Sequence, residues 1–110
     1  MIMEPTPREV QIYETAAGKI PFEEWLTELK DATGRALIQK RINRVRIGNM
    51  GQNRSVGDGV WELKVDFGPG YRVYYGEDGP FLVVLLCGGD KGSQDRDIAK
   101  AKEYWRDYLA

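Results

Sequence analysis

Alternation of apolar and polar residues between positions 61 and 91 predicts three consecutive β-strands. The first run alternates strictly, with Trp61, Leu63, Val65 and Phe67 on one face and Glu62, Lys64 and Asp66 on the other. The second run alternates Tyr71, Val73 and Tyr75 with Arg72 and Tyr74. The third run, residues 81–87, contains no polar side chain, which is typical of a central strand covered on both faces.

Glycine and proline separate these strands. Gly68-Pro69-Gly70 joins the first two, because proline fixes φ and glycine accepts the positive φ of a tight turn. A second turn at residues 77–80 leads into the third strand. If the first two strands pair across the glycine-proline turn, Lys64, Arg72 and Tyr74 share one polar face of the hairpin. We expect the functional site there.

The first half of the chain predicts one strand and two helices. Residues 8–14 alternate and indicate a short strand at a sheet edge. Pro21 suits the first position of a helix, whose apolar stripe follows at i, i+3, i+4 and i+7: Phe22, Trp25, Leu26 and Leu29. Asp31 can cap a second helix that ends near Ile47, before Gly48. The two helices are predicted to pack on the sheet as a hairpin.

Residues 48–59 are rich in glycine and polar side chains and predict a loop that can hold a short strand at 54–56. Residues 88–92 predict a flexible turn into a last helix, with Ser93 as its cap. That helix has Ile98, Ala101, Trp105 and Tyr108 on its inner face. We therefore predict one α+β domain over residues 1–110, in the order β-α-α-β-β-β-α. An antiparallel-rich twisted sheet would carry the helical hairpin and the C-terminal helix.

The amino-acid composition excludes several common kinds of catalytic and metal site. The 110 residues include no histidine and one cysteine, Cys87, which excludes the usual zinc sites and the Ser-His and Cys-His nucleophile pairs. Catalysis would need Lys, Arg, Tyr, Asp or Glu, and we expect no metal and no cofactor. No apolar run is long enough to cross a bilayer, and the N-terminus lacks the features of a secretory signal. We expect a cytoplasmic protein without a membrane partner.

Charge is distributed unevenly around a net value of −1. Residues 35–54 contain six basic residues and no acidic one: Arg35, Lys40, Arg41, Arg44, Arg46 and Arg54. Such a band can meet phosphates or an acidic partner, and we take Lys40, Arg44 and Arg54 as candidate contacts to phosphates. A basic helix face is, however, most often simply solvated.

Two long phrases carry a family resemblance: VWELKVDFGPGYRVYY at 60–75 and VVLLCGGDKGSQDRDIAKAKEYW at 83–105. The second resembles a characteristic ending with a Gly-Gly-Asp-Lys turn, then Gln-x-x-Asp-Ile, then an Ala-x-x-Tyr-Trp helix. On these phrases and the element order, the chain resembles the RelE/ParE superfamily of type II toxins, in the HigB-like branch of addiction-module killer proteins.

The resemblance implies a metal-independent endoribonuclease that cuts messenger RNA, often at the ribosome, and so inhibits translation. A cognate antitoxin, a small helix-turn-helix protein, would silence it. By the same resemblance Lys64 and Arg72 align with catalytic bases, and Lys91 aligns loosely with a third. Some superfamily members inhibit DNA gyrase without enzymatic activity, and an inactive member that only binds its antitoxin is a further alternative. The chain departs from the nucleases in lacking histidine, which leaves the general acid unassigned.

Cleavage by the 2′-OH of RNA needs a base, a group that offsets the charge of the phosphorane, and an acid for the leaving oxygen. Arg72 suits the second task, because its planar fork matches phosphate oxygens. Lys64 or Glu62 can act as the base, and Tyr74 can stack on an RNA base or donate the proton. The alternative for this face is a solvated surface with cross-strand ion pairs. The three tryptophans, Trp25, Trp61 and Trp105, are expected to anchor the core.

Overall fold

Five strands and three helices form the part of the chain that the computed structural model describes, residues 6–110. In chain order they are β1 (Glu9–Ile12), α1 (Pro21–Glu28), α2 (Ala32–Arg46), β2 (Asn53–Gly57), β3 (Val60–Val65), β4 (Tyr71–Asp78), β5 (Leu82–Asp90) and α3 (Gln94–Leu109). A single 3-10 turn, Lys91–Ser93, joins β5 to α3. None of these helices has both the length and the apolar character that a membrane crossing needs.

The strands form one sheet in the order β1-β5-β4-β3-β2. Strands β2 to β5 pair antiparallel with their neighbours, whereas β1 runs parallel to β5 at one edge. The predicted α+β class, the antiparallel-rich sheet and the edge position of the first strand are confirmed. Strand β2, which the sequence only allowed at 54–56, brings the number of strands to five.

The helices lie on opposite faces of the sheet. Helices α1 and α2 cover one face, where Phe22, Ile38, Ile42 and Val45 pack on Leu63, Val73, Tyr75, Val83 and Leu85. Helix α3 covers the other face, where Ala101 and Trp105 pack on Val60, Tyr74, Val84 and Leu86. Of the three tryptophans, Trp105 is buried, and Trp25 and Trp61 pack half-buried against the first core. The apolar strand β5 is covered on both faces, as its sequence predicts.

The helix caps follow the sequence in one case and depart from it in the other. Asp31 caps α2 by accepting a hydrogen bond from the Gly34 backbone N–H at 2.9 Å, as predicted. Ser93 occupies the N-cap position of α3 as predicted, but its side chain makes no capping hydrogen bond to the helix. A 3-10 turn precedes the helix, and Asp90 caps that turn by accepting from the N–H groups of Gly92 and Ser93. The Ser93 hydroxyl donates to Asp97 instead.

Two other boundaries differ from the prediction. Gly88 and Gly89 are not a flexible turn, because β5 continues through them and pairs them with Val73 and Arg72. A missing side chain at these positions leaves space for the ring of Trp25 over Gly88 and the carboxylate of Asp97 over Gly89. In the turn between β3 and β4, Phe67 lies beyond the end of β3, because its N–H turns back to the Val65 carbonyl.

Candidate functional site

The register of the β3–β4 hairpin assembles the predicted polar face. Lys64 lies opposite Arg72, and Glu62 lies opposite Tyr74. Since alternate residues of a strand point to the same side, these four side chains share one face of the sheet. This is the face that α3 covers, and β2 adds Arg54 directly opposite Glu62.

The open part of this face is a pocket of about 300 Å³, which we call the hairpin groove. Strands β3 and β4 contribute Glu62, Lys64 and Arg72 to its lining, and Arg54 and Gln94 enter from β2 and α3. Gln52 and Asn53 complete the wall. Three cations and one carboxylate therefore line the groove, which favours an anionic ligand.

Glu62 is the buried carboxylate of the groove and binds two of its other lining residues. It is 3% exposed and accepts hydrogen bonds from Arg54 Nε at 2.9 Å and Gln94 Nε2 at 3.0 Å. Burial by itself raises the pKa of the Glu62 carboxyl. The hydrogen bonds from Arg54 and Gln94 and the charge of Arg54 outweigh that cost, so this pKa lies below its ordinary value. A carboxylate of low pKa is a poor general base, so Glu62 is better suited to position its partners.

Arg72 is fixed beneath the turn of the hairpin. Its residue is 6% exposed, its Nη1 donates to the Gly70 carbonyl at 2.6 Å, and its Nε lies 3.9 Å from Glu62 Oε1. A Cβ added at Gly70 would lie 3.0 Å from Arg72 Nη1, so the glycine permits the guanidinium to fold back against the turn. Within the described chain, the buried Nε has no hydrogen-bond partner. A guanidinium held this way at a groove wall is pre-oriented for an anion that reaches it.

The two candidate lysines lie in different places. Lys64 is half-buried and lines the hairpin groove beside Arg72. Lys91 is exposed in the 3-10 turn after β5 and lines a separate depression with Gln94 and Arg96. The structure therefore brings Lys64 and Arg72 together and leaves Lys91 outside the groove.

Tyr74 does not have the role that the sequence suggested. Its side chain is fully buried under α3, so it cannot stack on an RNA base or reach a substrate, and that prediction is wrong. Burial and the nearby Glu62 charge raise the pKa of its hydroxyl, which stays protonated. Alternation along β4 placed the residue on the correct face, but α3 covers that position.

The remaining RNA-binding candidates lie around the groove. Arg54 belongs to it and pairs with Glu62, although its own side chain is 57% exposed. Lys40 and Arg44 are exposed on α2 and line a second pocket of about 360 Å³, which we call the α2 pocket. Lys64 and Gln52 line both pockets, so the two cavities adjoin.

Sequence reasoning missed Gln94 as a site residue. As the first residue of α3, it reaches across to Glu62 and closes one end of the groove. A signal was present, because Gln94 is the glutamine of the Gln-x-x-Asp-Ile pattern in the second phrase. The pattern by itself indicates family resemblance and does not show that the glutamine side chain reaches β3.

Other chemistry in the described chain is limited. No group of three Asp, Glu or Cys side chains within residues 6–110 is arranged to hold a metal ion. Cys87 is buried, and burial together with the charge of Asp97 raises the pKa of its thiol to about 12. A thiol of that pKa is neutral at pH 7 and unsuited to act as a nucleophile.

Comparison with known proteins finds a curated relative that is similar over most of this chain. An uncharacterized protein of Haemophilus influenzae is 49% identical to this chain over 83 residues. The match covers 76% of this chain and 84% of the relative. No family model matches the chain.

Proposed function

We propose that this chain, which belongs to the same family as the uncharacterized Haemophilus influenzae protein, is the toxin of a type II toxin–antitoxin pair. Its activity would be endonucleolytic cleavage of messenger RNA in the cytoplasm, at the hairpin groove and without a metal. The proposal combines the RelE/ParE resemblance of the two sequence phrases with the geometry of the groove. One observation carries it: Lys64 and Arg72 are cross-strand neighbours on β3 and β4, and both line the cationic hairpin groove.

The groove can supply the electrostatic part of the reaction. When the 2′-OH attacks the adjacent phosphorus, a phosphorane with additional negative charge forms, and the bond to the 5′ oxygen then breaks. The guanidinium of Arg72 offsets this charge in place, because Gly70 and Glu62 hold it from behind. Arg54 is the second cation in reach of a phosphate, and its orientation is set by Glu62.

Lys64 is the proposed proton acceptor. Arginine does not release its proton in proteins, and the Glu62 carboxylate is weakly basic, which leaves the Lys64 amine among the side chains of the groove. Lys64 in its free-amine form takes the 2′-OH proton as the O–P bond forms. A water molecule protonates the leaving 5′ oxygen and recovers its proton from the Lys64 ammonium.

Expression of wild type and variants in a bacterial host tests the proposal, with growth and primer extension on transcripts as readouts. Arg72→Ala should lower cleavage about 100-fold or more, as removal of a transition-state donor does elsewhere. Arg96→Ala, an exposed arginine of α3 outside the hairpin groove, should cleave as the wild type does.

Because Arg72 is buried, its variant needs a check on folding, and Lys64→Ala supplies a second, less buried test of the same groove. If purified, folded wild type leaves transcripts and translation intact, the proposal is wrong. Supercoiling defects with intact transcripts would instead favour the binding of DNA gyrase.

The proposed partner is a small antitoxin of the helix-turn-helix class. A net cationic groove is blocked most directly by acidic side chains, so we expect the antitoxin to cover Arg54 and Lys64. Co-purification with the product of a neighbouring gene, and loss of affinity as salt rises, would be the expected results. Binding that is insensitive to salt and to Lys64→Ala would contradict this placement.

A further inference from the structure

We propose that the α2 pocket binds one nucleotide of the RNA beside the cleaved bond, with its phosphate at the basic rim and its base against Phe67. The assignment of that nucleotide to an RNA substrate rests on the proposed function. The presence of a nucleotide site follows from the pocket itself.

The pocket lies between α2, the loop after it and the end of β3, and has a volume of about 360 Å³. Lys40 and Arg44 are one helical turn apart and therefore lie on the same side of α2. Lys64 of β3 also lines the pocket. Across the described residues, none of these three cations forms an ion pair with an acidic side chain.

Arg41 is the fourth cation of the lining. Its Nη2 donates to the carbonyls of Met50 and Gln52, at 2.5 and 3.1 Å, and so holds the loop that closes the pocket. Its Nη1 is buried and has no hydrogen-bond partner within residues 6–110. Burial and the charge of Arg44 lower the pKa of this guanidinium. An anion in the pocket would offset the mutual repulsion of Arg41 and Arg44.

The lining of the pocket also includes apolar and aromatic side chains. Phe67 is 37% exposed, although alternation placed it on the same strand face as the buried Val65, and Leu37 and Val65 also line the pocket. Nucleobases stack on exposed aromatic rings in single-stranded RNA complexes. Asp66 is the one carboxylate of the lining, against four cations. This combination of a stacking surface with unpaired cations matches a nucleotide better than an acidic peptide, which needs no ring to stack on.

The pocket continues into the hairpin groove. Lys64 and Gln52 form the shared wall, with the α2 pocket on one side and Arg72 on the other. A phosphate at Lys64 therefore lies between the two cavities. A strand whose scissile phosphate contacts Arg72 can place its neighbouring nucleotide in the α2 pocket without leaving the surface.

The test is a titration of the purified, isotopically labelled protein with adenosine 5′-monophosphate, followed by the amide signals of residues 37–52 and 64–67. Inorganic phosphate and adenosine are titrated separately. We expect the nucleotide to bind more tightly than either part, with shifts confined to the pocket. Phe67→Ala should weaken nucleotide binding at least about 5-fold and leave phosphate binding unchanged.

Arg44→Ala should weaken both the nucleotide and phosphate. Arg46→Ala removes an exposed arginine of the same helix that does not line the pocket, and should weaken neither. Nucleotide affinity no greater than that of phosphate, or unchanged in Phe67→Ala, would overturn the inference. Displacement of the nucleotide by polyglutamate at equal charge concentration would also overturn it, and would indicate a surface for an acidic protein.

Nucleotide binding and RNA cleavage are measured independently, so the pocket assignment and the proposed function can be contradicted separately. If the nucleotide binds through Phe67 and Arg44 but RNA is not cleaved, the pocket is supported and the proposed function is wrong. If RNA is cleaved at the wild-type rate by Phe67→Ala and no nucleotide binds, the pocket assignment is wrong and the proposed function stands.

Discussion

Glu62 is the residue on which the geometry of the hairpin groove depends. It is an acidic side chain in a cationic site, and its place is beneath the cations, where it orients Arg54 and Gln94 and compensates the buried charge of Arg72. These partners lower the pKa of the Glu62 carboxyl in the folded protein, so the ionised form is more stable there than in the unfolded chain. Folding stability is therefore linked to its protonation.

This linkage gives a pH prediction. Because the pKa of Glu62 is lowered in the folded state from an ordinary value of 4.5, its contribution is present above pH 4.5 and is lost as pH falls below it. Glu62→Gln should lower the free energy of unfolding by roughly 1.5–3 kcal/mol at pH 7, since hydrogen bonds between charged groups are lost. The difference from wild type should shrink towards pH 3, as measured by urea unfolding across that range.

Glu103→Gln is the matched control, because Glu103 is exposed on α3 and its ion pair with Lys100 is at the surface. Its stability should stay within about 0.5 kcal/mol of wild type at both pH values. An equal loss for Glu62→Gln at pH 3 and pH 7 would show that packing, not charge, sets the effect.

The residue scale also shows the limit of what alternation can predict. The pattern of β3 and β4 placed Lys64, Arg72 and Tyr74 on one face, and the register confirms it. It could not predict that Tyr74 is buried and that Lys64 is accessible, because depth depends on α3, which packs on β4 and β5 from far along the chain. Gln94 enters the site by the same long-range packing.

At the scale of elements, Gly34 shows why a residue that weakens a helix in isolation is needed in this one. Tyr71 donates to the Asp31 carboxylate at 2.7 Å, directly over the first turn of α2. A Cβ at position 34 would lie 2.6 Å from Tyr71 Cε2 and 2.7 Å from Asp31 Oδ2. The glycine therefore leaves the space in which Tyr71 of β4 can bind the Asp31 cap of α2.

Gly34→Ala should consequently destabilise the protein by about 1–3 kcal/mol, through the displaced ring and cap. In an unobstructed helix the same change would stabilise by roughly 0.5–1 kcal/mol. Thermal and urea unfolding measure the sign directly. Thr33→Ala, at the exposed neighbouring position, should be nearly neutral. Gly34→Ala should also cost less in a Tyr71→Leu background, and an equal cost there would exclude the ring as the cause.

Strand and helix identities followed well from local pattern, and boundaries followed less well. The helices from Pro21 and Asp31 were predicted because capping and periodicity are local. The continuation of β5 through Gly88 and Gly89 was not, because glycine pairs ordinarily favour turns. Here the missing side chains serve Trp25 and Asp97, two residues that are distant in sequence.

For the whole molecule, one sheet joins two cores. The α1–α2 core and the α3 core lie on opposite faces of the same strands. If the sheet unfolds, the apolar side chains of both cores become exposed to solvent. We therefore expect one cooperative unfolding transition. Trp25 and Trp61 report on the first core and Trp105 on the second.

The Trp105→Phe variant keeps Trp25 and Trp61 as probes of the first core. The Trp25→Phe/Trp61→Phe variant keeps Trp105 as the probe of the second core. In each variant the urea midpoint by tryptophan fluorescence should equal the midpoint by far-ultraviolet circular dichroism. Midpoints that differ in the Trp105-only variant would show that α3 unfolds separately, which would contradict a single cooperative unit.

Charge segregation across the whole molecule gives the last prediction. The net charge is −1, yet Lys40 and Arg44 lie beside Lys64 on one surface, while Glu23, Glu24 and Glu28 line a depression on α1. Single-stranded nucleic acid releases counterions on binding, with a slope of about 0.7 in log affinity against log salt for each phosphate contact. If Lys40 and Arg44 each contact a phosphate, Lys40→Ala/Arg44→Ala should reduce the slope for an uncleavable 2′-O-methyl RNA by about 1.4. Arg96→Ala/Arg106→Ala, an equal loss of exposed charge on α3, should leave the slope nearly unchanged. Equal reductions in both variants would mean that RNA affinity depends only on the total charge of the protein. In that case RNA would not bind specifically to the surface formed by α2 and the hairpin groove.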